Sequence, residues 1–397
     1  MDSRILGWRI VTKKIQIEVD TYEKGNSFEA SHVARGLTSV DIQRDRCVEI
    51  LARPTPLDSM SGVLGRVYED LKRLGPESQD GSFQISAFVA EELARLDDQE
   101  VRRYLYHRYR YEIFPSEQLL DDYPPYVQIE PTSICNFRCV FCYQTDESFS
   151  SRQSEHMGSM TLATFKRIVD EIEGNVEFVS LASRGEPLMC RELPVMLEYA
   201  FGKFLNLKIN TNASILTEER SHALLSGSVR TVVFSADAAE EPLYSQLRVN
   251  GKLEKVLRNI ERFEQIRQDQ YPDSKVITRV SGVFVNKEQD LDKMVKLWGG
   301  LVDQISFVRY NPWENVYQAP PSNVTTPCSD LWRRLFVWFD GRINPCDTDY
   351  KSELSVGDIW KEDVRSIWTG SNYQALRATH QSHKRSLLHP CRNCVVV

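Results

Sequence analysis

Between Tyr126 and Tyr310 the apolar residues keep changing period. In "LATFKRIVDEIEG" Leu162, Phe165, Ile168, Val169 and Ile172 recur every three to four residues, and the run stops at Gly174. That recurrence is one face of an amphipathic helix with a glycine stop. "YVQIEPT" before it and "VEFVSLAS" after it have no such period and read as short buried strands. The alternation continues with strands in "NLKINTN", "RTVVFSAD", "KVITRVSGVFV" and "DQISFVRY". Helices lie between them in "ELPVMLEYAFGKF", "TEERSHALLSG", "KLEKVLRNIERFEQIRQ" and "KEQDLDKMVKLWGGL". Thr217 opens one of these as a cap and Gly227 closes it. Six strands in sequence with helices between them predict a parallel sheet with its helices outside. Six units fall short of the eight of a closed barrel. The expected fold is therefore α/β, an open, partial (β/α)6 barrel of the TIM type, with its site at the carboxyl ends of the strands.

The flanks read differently. Residues 1–121 form an α+β extension whose role the pattern does not define. It has possible strands in "GWRIVTKKIQIEVD" and helices in "SGVLGRVYEDLKRLG" and "FVAEELARLDDQEVRRYLYHRYRYEIF". "YPPY" (Tyr123 to Tyr126) punctuates the join to a barrel spanning 122–318. "APPSNVTTP" (Ala319 to Pro327) reads as a linker into a small cysteine-bearing domain, 319–397. "RRYLYHRYRY" (Arg102 to Tyr111) mixes arginine and tyrosine, as nucleic-acid surfaces do. It is expected instead to be an exposed helix face with half-buried tyrosines. The formal net charge of -7 supports that choice, because bulk nucleic-acid binding needs basic surface. With 41% apolar and 26% charged residues the chain has the composition of a soluble globular protein. No signal-peptide pattern and no run of about 18 apolar residues is visible. The expectation is a cytoplasmic protein without a membrane partner.

Nine cysteines in such a chain point away from a disulfide framework. Cys135, Cys139 and Cys142 stand together in "CNFRCVFC", directly after the first strand. Cys328, Cys346, Cys391 and Cys394 form a second set, and Cys47 and Cys190 are left over. Cys47 reads as a buried small hydrophobe. A structural zinc takes four protein ligands, and iron–sulfur clusters usually take four cysteines. Three thiols leave one metal position open.

The spacing of Cys135, Cys139 and Cys142 at the head of a partial barrel resembles the radical SAM superfamily. The resemblance implies a [4Fe–4S] cluster on these three thiolates, with S-adenosylmethionine completing the fourth iron. It implies reductive cleavage of that cosubstrate to a 5′-deoxyadenosyl radical, which takes hydrogen from an unactivated C–H bond. Phe141 stands where the family has an aromatic whose backbone meets the adenine. "RGEP" (Arg184 to Pro187) resembles the family's "GGEP", so Glu186 is expected to hold the cosubstrate's amino group. Arg184 departs from that pattern and leaves the turn open. Asn210 and Asn212 at the end of the third strand, and Ser235 and Asp237 at the end of the fourth, are the other expected cosubstrate contacts. Arg248 is placed like a family arginine that pairs with the cosubstrate carboxylate.

The second set resembles the SPASM/twitch region that follows such barrels. Four cysteines imply one auxiliary [4Fe–4S] cluster, closed by protein ligands and suited to passing electrons. A structural zinc is the alternative. An external donor such as flavodoxin or ferredoxin is expected to reduce the enzyme. The substrate is expected to be a carbohydrate-type small molecule that is oxidised or epimerised. A peptide-modifying maturase is the alternative, and a non-catalytic iron–sulfur protein is a third reading. Arg309, Tyr310 and Trp313 follow the sixth strand and are candidates for the substrate pocket, with Arg309 or Tyr310 as the proton acceptor. Cys190, four residues after Glu186, is the candidate hydrogen-atom donor of an epimerase.

Overall fold

The structure, a computed structural model, describes residues 19–23, 32–34, 38–53, 60–73 and 81–397. The strands in chain order are β1 (His32–Ala34), β2 (Tyr126–Ile129), β3 (Arg138–Cys139), β4 (Phe178–Leu181), β5 (Asn206–Thr211) and β6 (Val229–Ser235). They continue with β7 (Arg248–Val249), β8 (Ile277–Phe284), β9 (Gln304–Arg309), β10 (Arg334–Val337), β11 (Arg342–Asn344) and β12 (Gly357–Asp358). The six expected strands pair in parallel in the order β2, β4, β5, β6, β8, β9. Helices lie between them, from Leu162–Ile172 to Leu291–Gly299. The strands expected in "GWRIVTKKIQIEVD" lie outside the described residues, save its last two positions.

The sheet is longer than the six expected strands. β10 pairs parallel to β2, with Leu335 opposite Val127, and β11 and β12 follow antiparallel. At the other edge β1 pairs antiparallel to β9. The segment "APPSNVTTP" therefore carries the chain from the β9 edge round to the β2 edge, where β10 extends the barrel sheet.

Packing explains the pattern along each strand. On β5, Leu207 and Ile209 are fully buried among the outer helices with Phe165, Ile168, Met196, Leu197, Val256 and Phe263. Burying each such side chain stabilises the fold by about 1.5–3 kcal/mol. The intervening Asn206, Lys208 and Asn210 face inward, because successive side chains on a strand point to opposite sides. A closed TIM barrel fills its interior with branched aliphatics; here the lumen mixes polar side chains with aromatic and aliphatic ones and holds a cavity of about 520 Å³.

The N-terminal segment closes the amino ends of the strands. Helix Asp98–Glu117 begins at Asp97, which forms a capping box with Glu100. Its face is buried, which corrects the expectation of an exposed arginine–tyrosine surface. His107 stacks on Phe178 at the start of β4, with centroids 3.6 Å apart, and Tyr104 and Tyr109 are buried beside it. Arg108 and Arg110 are buried while the Arg103 side chain stays 40% exposed, and carboxylates meet all three. Arg103 reaches Glu177 at 2.7 and 2.5 Å, and Arg110 Nε lies 3.0 Å from Asp121. From the barrel, Arg230 returns a 2.7 Å bond to Glu100.

Candidate active site at the carboxyl ends of the strands

The first cysteine loop leaves β2 and is tied down by backbone on both sides. β3 pairs with β7, setting Cys139 opposite Arg248, and Val140 N donates to Leu247 O at 3.0 Å. Gln144 Nε2 donates to the Ser133 and Arg184 carbonyls at 2.7 and 2.5 Å. All three thiols are free of disulfides. Burial pushes Cys135 up to about 12, with Glu186 and Cys139 adding to it. Burial likewise raises Cys139 to about 11 and Cys142 well above the ordinary thiol value, and the charges of Cys139 and Cys135 raise Cys142 further. The three sulfurs thus share one low-dielectric space, where a cationic metal would reverse those shifts.

Arg248 enters this space. Its Nη1 lies 3.8 Å from Cys139 Sγ and its Nε lies 2.5 Å from Asp237 Oδ2. Asp237 is fully buried and accepts Val283 N at 2.6 Å through its other oxygen. Both oxygens of Asp237 are engaged by the protein, so it orients Arg248 instead of facing the ligand as the sequence suggested.

Glu186 is a buried carboxylate at the end of the second barrel unit. Oε1 accepts Leu188 N at 3.1 Å and Thr211 Oγ1 at 2.6 Å, while Oε2 accepts Asn212 N at 2.7 Å. A carboxylate offers about four lone-pair sites, so Oε2 keeps one for a further donor. Burial raises the Glu186 pKa against these hydrogen bonds, and an incoming ammonium would oppose that shift. Gly185 has no alternative, because a Cβ there would stand 2.3 Å from Thr132 O. Arg184 has a role of its own. It binds Glu130 bidentately at 2.6 Å through Nε and Nη2, donates to Tyr350 O at 2.8 Å and lies 4.1 Å above the Trp338 ring. It joins the barrel to the C-terminal segment.

Asn212 spends its side chain on the loop, donating to Asn136 Oδ1 at 3.0 Å and accepting Ser214 N and Oγ. Asn210 lines the lumen cavity, and its Oδ1 is buried with no hydrogen-bond partner. Ser235 is half-buried at the end of β6. Phe141 lines the cavity, and its carbonyl accepts Trp313 Nε1 at 2.8 Å.

At the mouth, Arg309 is exposed and Tyr310 is buried, and both line the same cavity with Trp313. The Tyr310 hydroxyl donates to Glu314. Burial raises Glu314 to about 7, and burial beside that carboxylate raises Tyr310. Glu314 was missed in the sequence, where only its place four residues after Tyr310 hinted at a pair. Cys190 does not reach the cavity. It is buried in the helix-side core, with Sγ 3.9 Å from Met160 O, so the expected hydrogen-atom donor is a packing residue. Cys47 is fully buried among the N-terminal helices.

The second set gathers residues far apart in the chain. Cys328, Cys346, Cys391 and Cys394 line one void of about 30 Å³ with Leu331 and Leu376. Burial raises Cys328 to about 11, and Cys346 and Cys391 rise further, each under the charges of the others. Among the described residues no group of three or more His, Cys, Asp or Glu side chains is arranged to hold a single ion. Four thiols spread around a void suit a multi-iron cluster better than a lone tetrahedral zinc.

The family model of the radical SAM superfamily matches residues 129–297, and that of the SPASM iron–sulfur cluster-binding domain matches residues 328–395. The chain belongs to the radical SAM superfamily. Its cofactors are S-adenosylmethionine and [4Fe–4S] clusters, and the donors in place fit them: three thiols with Glu186 and Arg248 beside them, and four thiols around one void. The S-adenosyl-L-methionine-dependent 2-deoxy-scyllo-inosamine dehydrogenase of Niallia circulans is 22% identical over 277 residues, covering 68% of this chain and 91% of the relative. Mycofactocin maturase MftC of Mycolicibacterium smegmatis is 25% identical over 224 residues, 55% of this chain and 52% of the relative. Streptococcus suis SuiB bound to precursor peptide SuiA superposes with a TM-score of 0.51 at 14% identity, over 80% of this chain and 78% of that one; this likeness shows the fold alone. Among the described residues no helix is long and apolar enough to cross a membrane.

Proposed function

We propose that the protein oxidises a hydroxyl-bearing carbon of a carbohydrate-type small molecule held in the barrel lumen. The observation that carries this reading is the lumen itself. Asn206, Lys208, Asn210, Gln128, Thr231 and Ser281 line a cavity that reaches Phe141 and Tyr143 of the cysteine loop. A cavity of about 520 Å³ suits one small ligand, and the polar side chains among its aromatic and aliphatic walls suit hydroxyl groups. The relative named as an inosamine dehydrogenase supports the same reading. The position of Cys190 outside the cavity favours oxidation over epimerisation through that thiol.

When bound, the clusters and S-adenosylmethionine supply one-electron chemistry able to take a hydrogen atom from an unactivated C–H bond and to accept the electron left behind. Around them the chain's own residues bind and position. Glu186 Oε2 takes the cosubstrate's ammonium. Arg248, held by Asp237, presents a guanidinium for the carboxylate. Trp313 fixes the Phe141 carbonyl at the adenine position. Ser235 and Asn210 face the lumen at the strand ends. Tyr310 Oη receives the substrate hydroxyl's proton and hands its own to Glu314. Arg309 binds rather than deprotonates, because a guanidinium donates hydrogen bonds and accepts none. Flavodoxin or ferredoxin serves as electron donor, in the cytoplasm.

The test is anaerobic turnover of the reconstituted enzyme with a panel of sugars, cyclitols and peptides. A ketone or aldehyde product from a polyol, with one 5′-deoxyadenosine per product, supports the proposal. A cross-linked peptide with no polyol turnover overturns it.

A further inference from the structure

The lumen is unevenly charged. Lys208, Arg309 and Arg279 line it from the barrel, and Arg108, Arg333 and Arg334 line its floor; Glu92, Glu112 and Asp347 are the carboxylates among the lining residues. Several of the cations are accounted for. Arg279 donates to Gln304 Oε1 at 3.0 and 2.7 Å and lies 3.7 Å from Glu92, while Arg334 donates to Tyr111 Oη at 2.8 Å. Arg108 pairs with Glu112, and Arg333 Nε lies 3.2 Å from Asp330. Lys208 is different. Its ammonium has the Tyr126 ring 5.5 Å away, and it forms no ion pair among the described residues. It stands on the inward face of a central strand, flanked on that face by Asn206 and Asn210.

Three further polar atoms lie along the same cavity without a partner. Asn210 Oδ1, Ser183 Oγ and Arg333 Nη2 are buried with no hydrogen bond. Arg333 is 6% exposed. Buried polar groups are nearly always satisfied, so three unmade hydrogen bonds along one cavity mark places for a ligand's polar atoms. Six cationic side chains against three carboxylates leave the lining net positive, which favours an anionic ligand. The chemistry that completes this surface has a negative end and a hydroxylated end. Lys208 and Asn210 are two residues apart on one face of β5, so about 7 Å separates the two levels, the span of one sugar ring.

We propose that the substrate carries an oxyanion, a phosphate or a carboxylate, which docks on Lys208 within the lumen while its hydroxyl groups meet Asn210 and Ser183 nearer the cysteine loop. The proposal rests on the lumen being the substrate site. It narrows the carbohydrate-type class to acidic members, because an amine-bearing sugar would set a second cation against Lys208.

The experiment is calorimetric titration of the anaerobically reconstituted enzyme, without reductant, using glucose 6-phosphate, glucuronate and glucose as probes. At least one acidic probe binds, and glucose binds at least about tenfold more weakly. The tighter acid identifies the oxyanion. Lys208→Met loses about ten- to a hundredfold in affinity for that probe, the range of one charge-assisted hydrogen bond. Lys208→Arg keeps most of it. Lys166→Met, on the outer helix Leu162–Ile172, binds as the unaltered enzyme does. Iron content and urea midpoint of each variant confirm that it is folded. Equal binding of glucose, failure of both acids to bind, or a folded Lys208→Met variant that binds normally overturns the proposal. Reductive cleavage of S-adenosylmethionine in the same preparation is scored separately. Its loss sinks the catalytic reading, and failed acid binding with cleavage intact sinks only this one.

Discussion

The two cysteine sets are built in opposite ways. The first comes from a single loop after β2, offers three thiols and stands beside the lumen cavity with Glu186 and Arg248 within its field. The second draws four thiols from separate segments of the C-terminal region around a void too small for a substrate. One is open on the side where a ligand enters, and the other is closed by protein. On the proposed function, exposure to ligand, not the number of cysteines in the chain, separates the set that reacts from the set that serves it. Between them stands an aromatic cluster: Tyr143 stacks on Tyr350 at 4.9 Å, and Tyr350 meets Tyr317 edge-on at 4.9 Å.

The sharpest way to break this contrast is to remove one thiol from each set. Cys142→Ala is expected to abolish 5′-deoxyadenosine formation and to lower the iron content by about four per chain. Cys391→Ala is expected to lose a similar amount of iron, keep cleavage of S-adenosylmethionine without substrate, and lose product. Iron analysis and a deoxyadenosine assay on both variants decide it. If both variants lose cleavage equally while folded, the division of labour is wrong.

The next test strikes the joint between the two regions. Arg184→Met leaves the Glu130 carboxylate buried and unpaired, a loss expected to cost about 3–5 kcal/mol. Urea unfolding measures it, and adding Glu130→Leu should recover most of the loss. Recovery would show that the pair serves alignment more than stability.

This joint was only half legible in the sequence. The strand–helix alternation was plain because each outer helix carries its apolar residues at helical spacing and each strand is a short apolar run. The triad was plain because its ligands lie within eight residues. Arg184 read as a broken glycine motif, because its partners Glu130, Tyr350 and Trp338 are remote in sequence and only the fold brings them to it. β10 was hidden for the same reason. "RLFV" carries no sign that its partner is β2, since the pairing depends on the chain crossing from one sheet edge to the other. The arginines of helix Asp98–Glu117 misled by composition. Arg108 and Arg110 are buried because carboxylates such as Glu112 and Asp121 come to meet them, and charge count along a chain does not report pairing. Asp237 and Asn212 stood at the right strand ends, but strand-end position cannot tell a ligand contact from a residue that holds one.

A smaller effect is expected at Glu186. Glu186→Gln keeps the shape and removes the charge that meets the ammonium. Binding of S-adenosylmethionine should weaken by about ten- to a hundredfold, measured by equilibrium dialysis on the reconstituted protein. Unchanged affinity would move the cosubstrate's amino group elsewhere.

The smallest effect concerns the barrel floor, away from both cysteine sets. Burial among Phe178 and Pro125, with Arg108 nearby, holds the His107 imidazole well below its ordinary value of 6.5. The unfolded chain therefore takes up this proton first as the pH falls. The contribution of the neutral ring is complete above about pH 6.5 and declines below it, at up to about 1.4 kcal/mol per pH unit. Urea midpoints at about pH 7.5 and about pH 5.5 should differ less in His107→Gln than in the unaltered protein. An equal difference would mean that this ring is not the group that titrates.

One anaerobic preparation tests the division between an open and a closed cluster site. The reconstituted protein is analysed for iron and sulfide, then given dithionite and S-adenosylmethionine. About eight irons per chain with 5′-deoxyadenosine formed is the expected result. About four irons with one zinc, or eight irons with no deoxyadenosine, would contradict it.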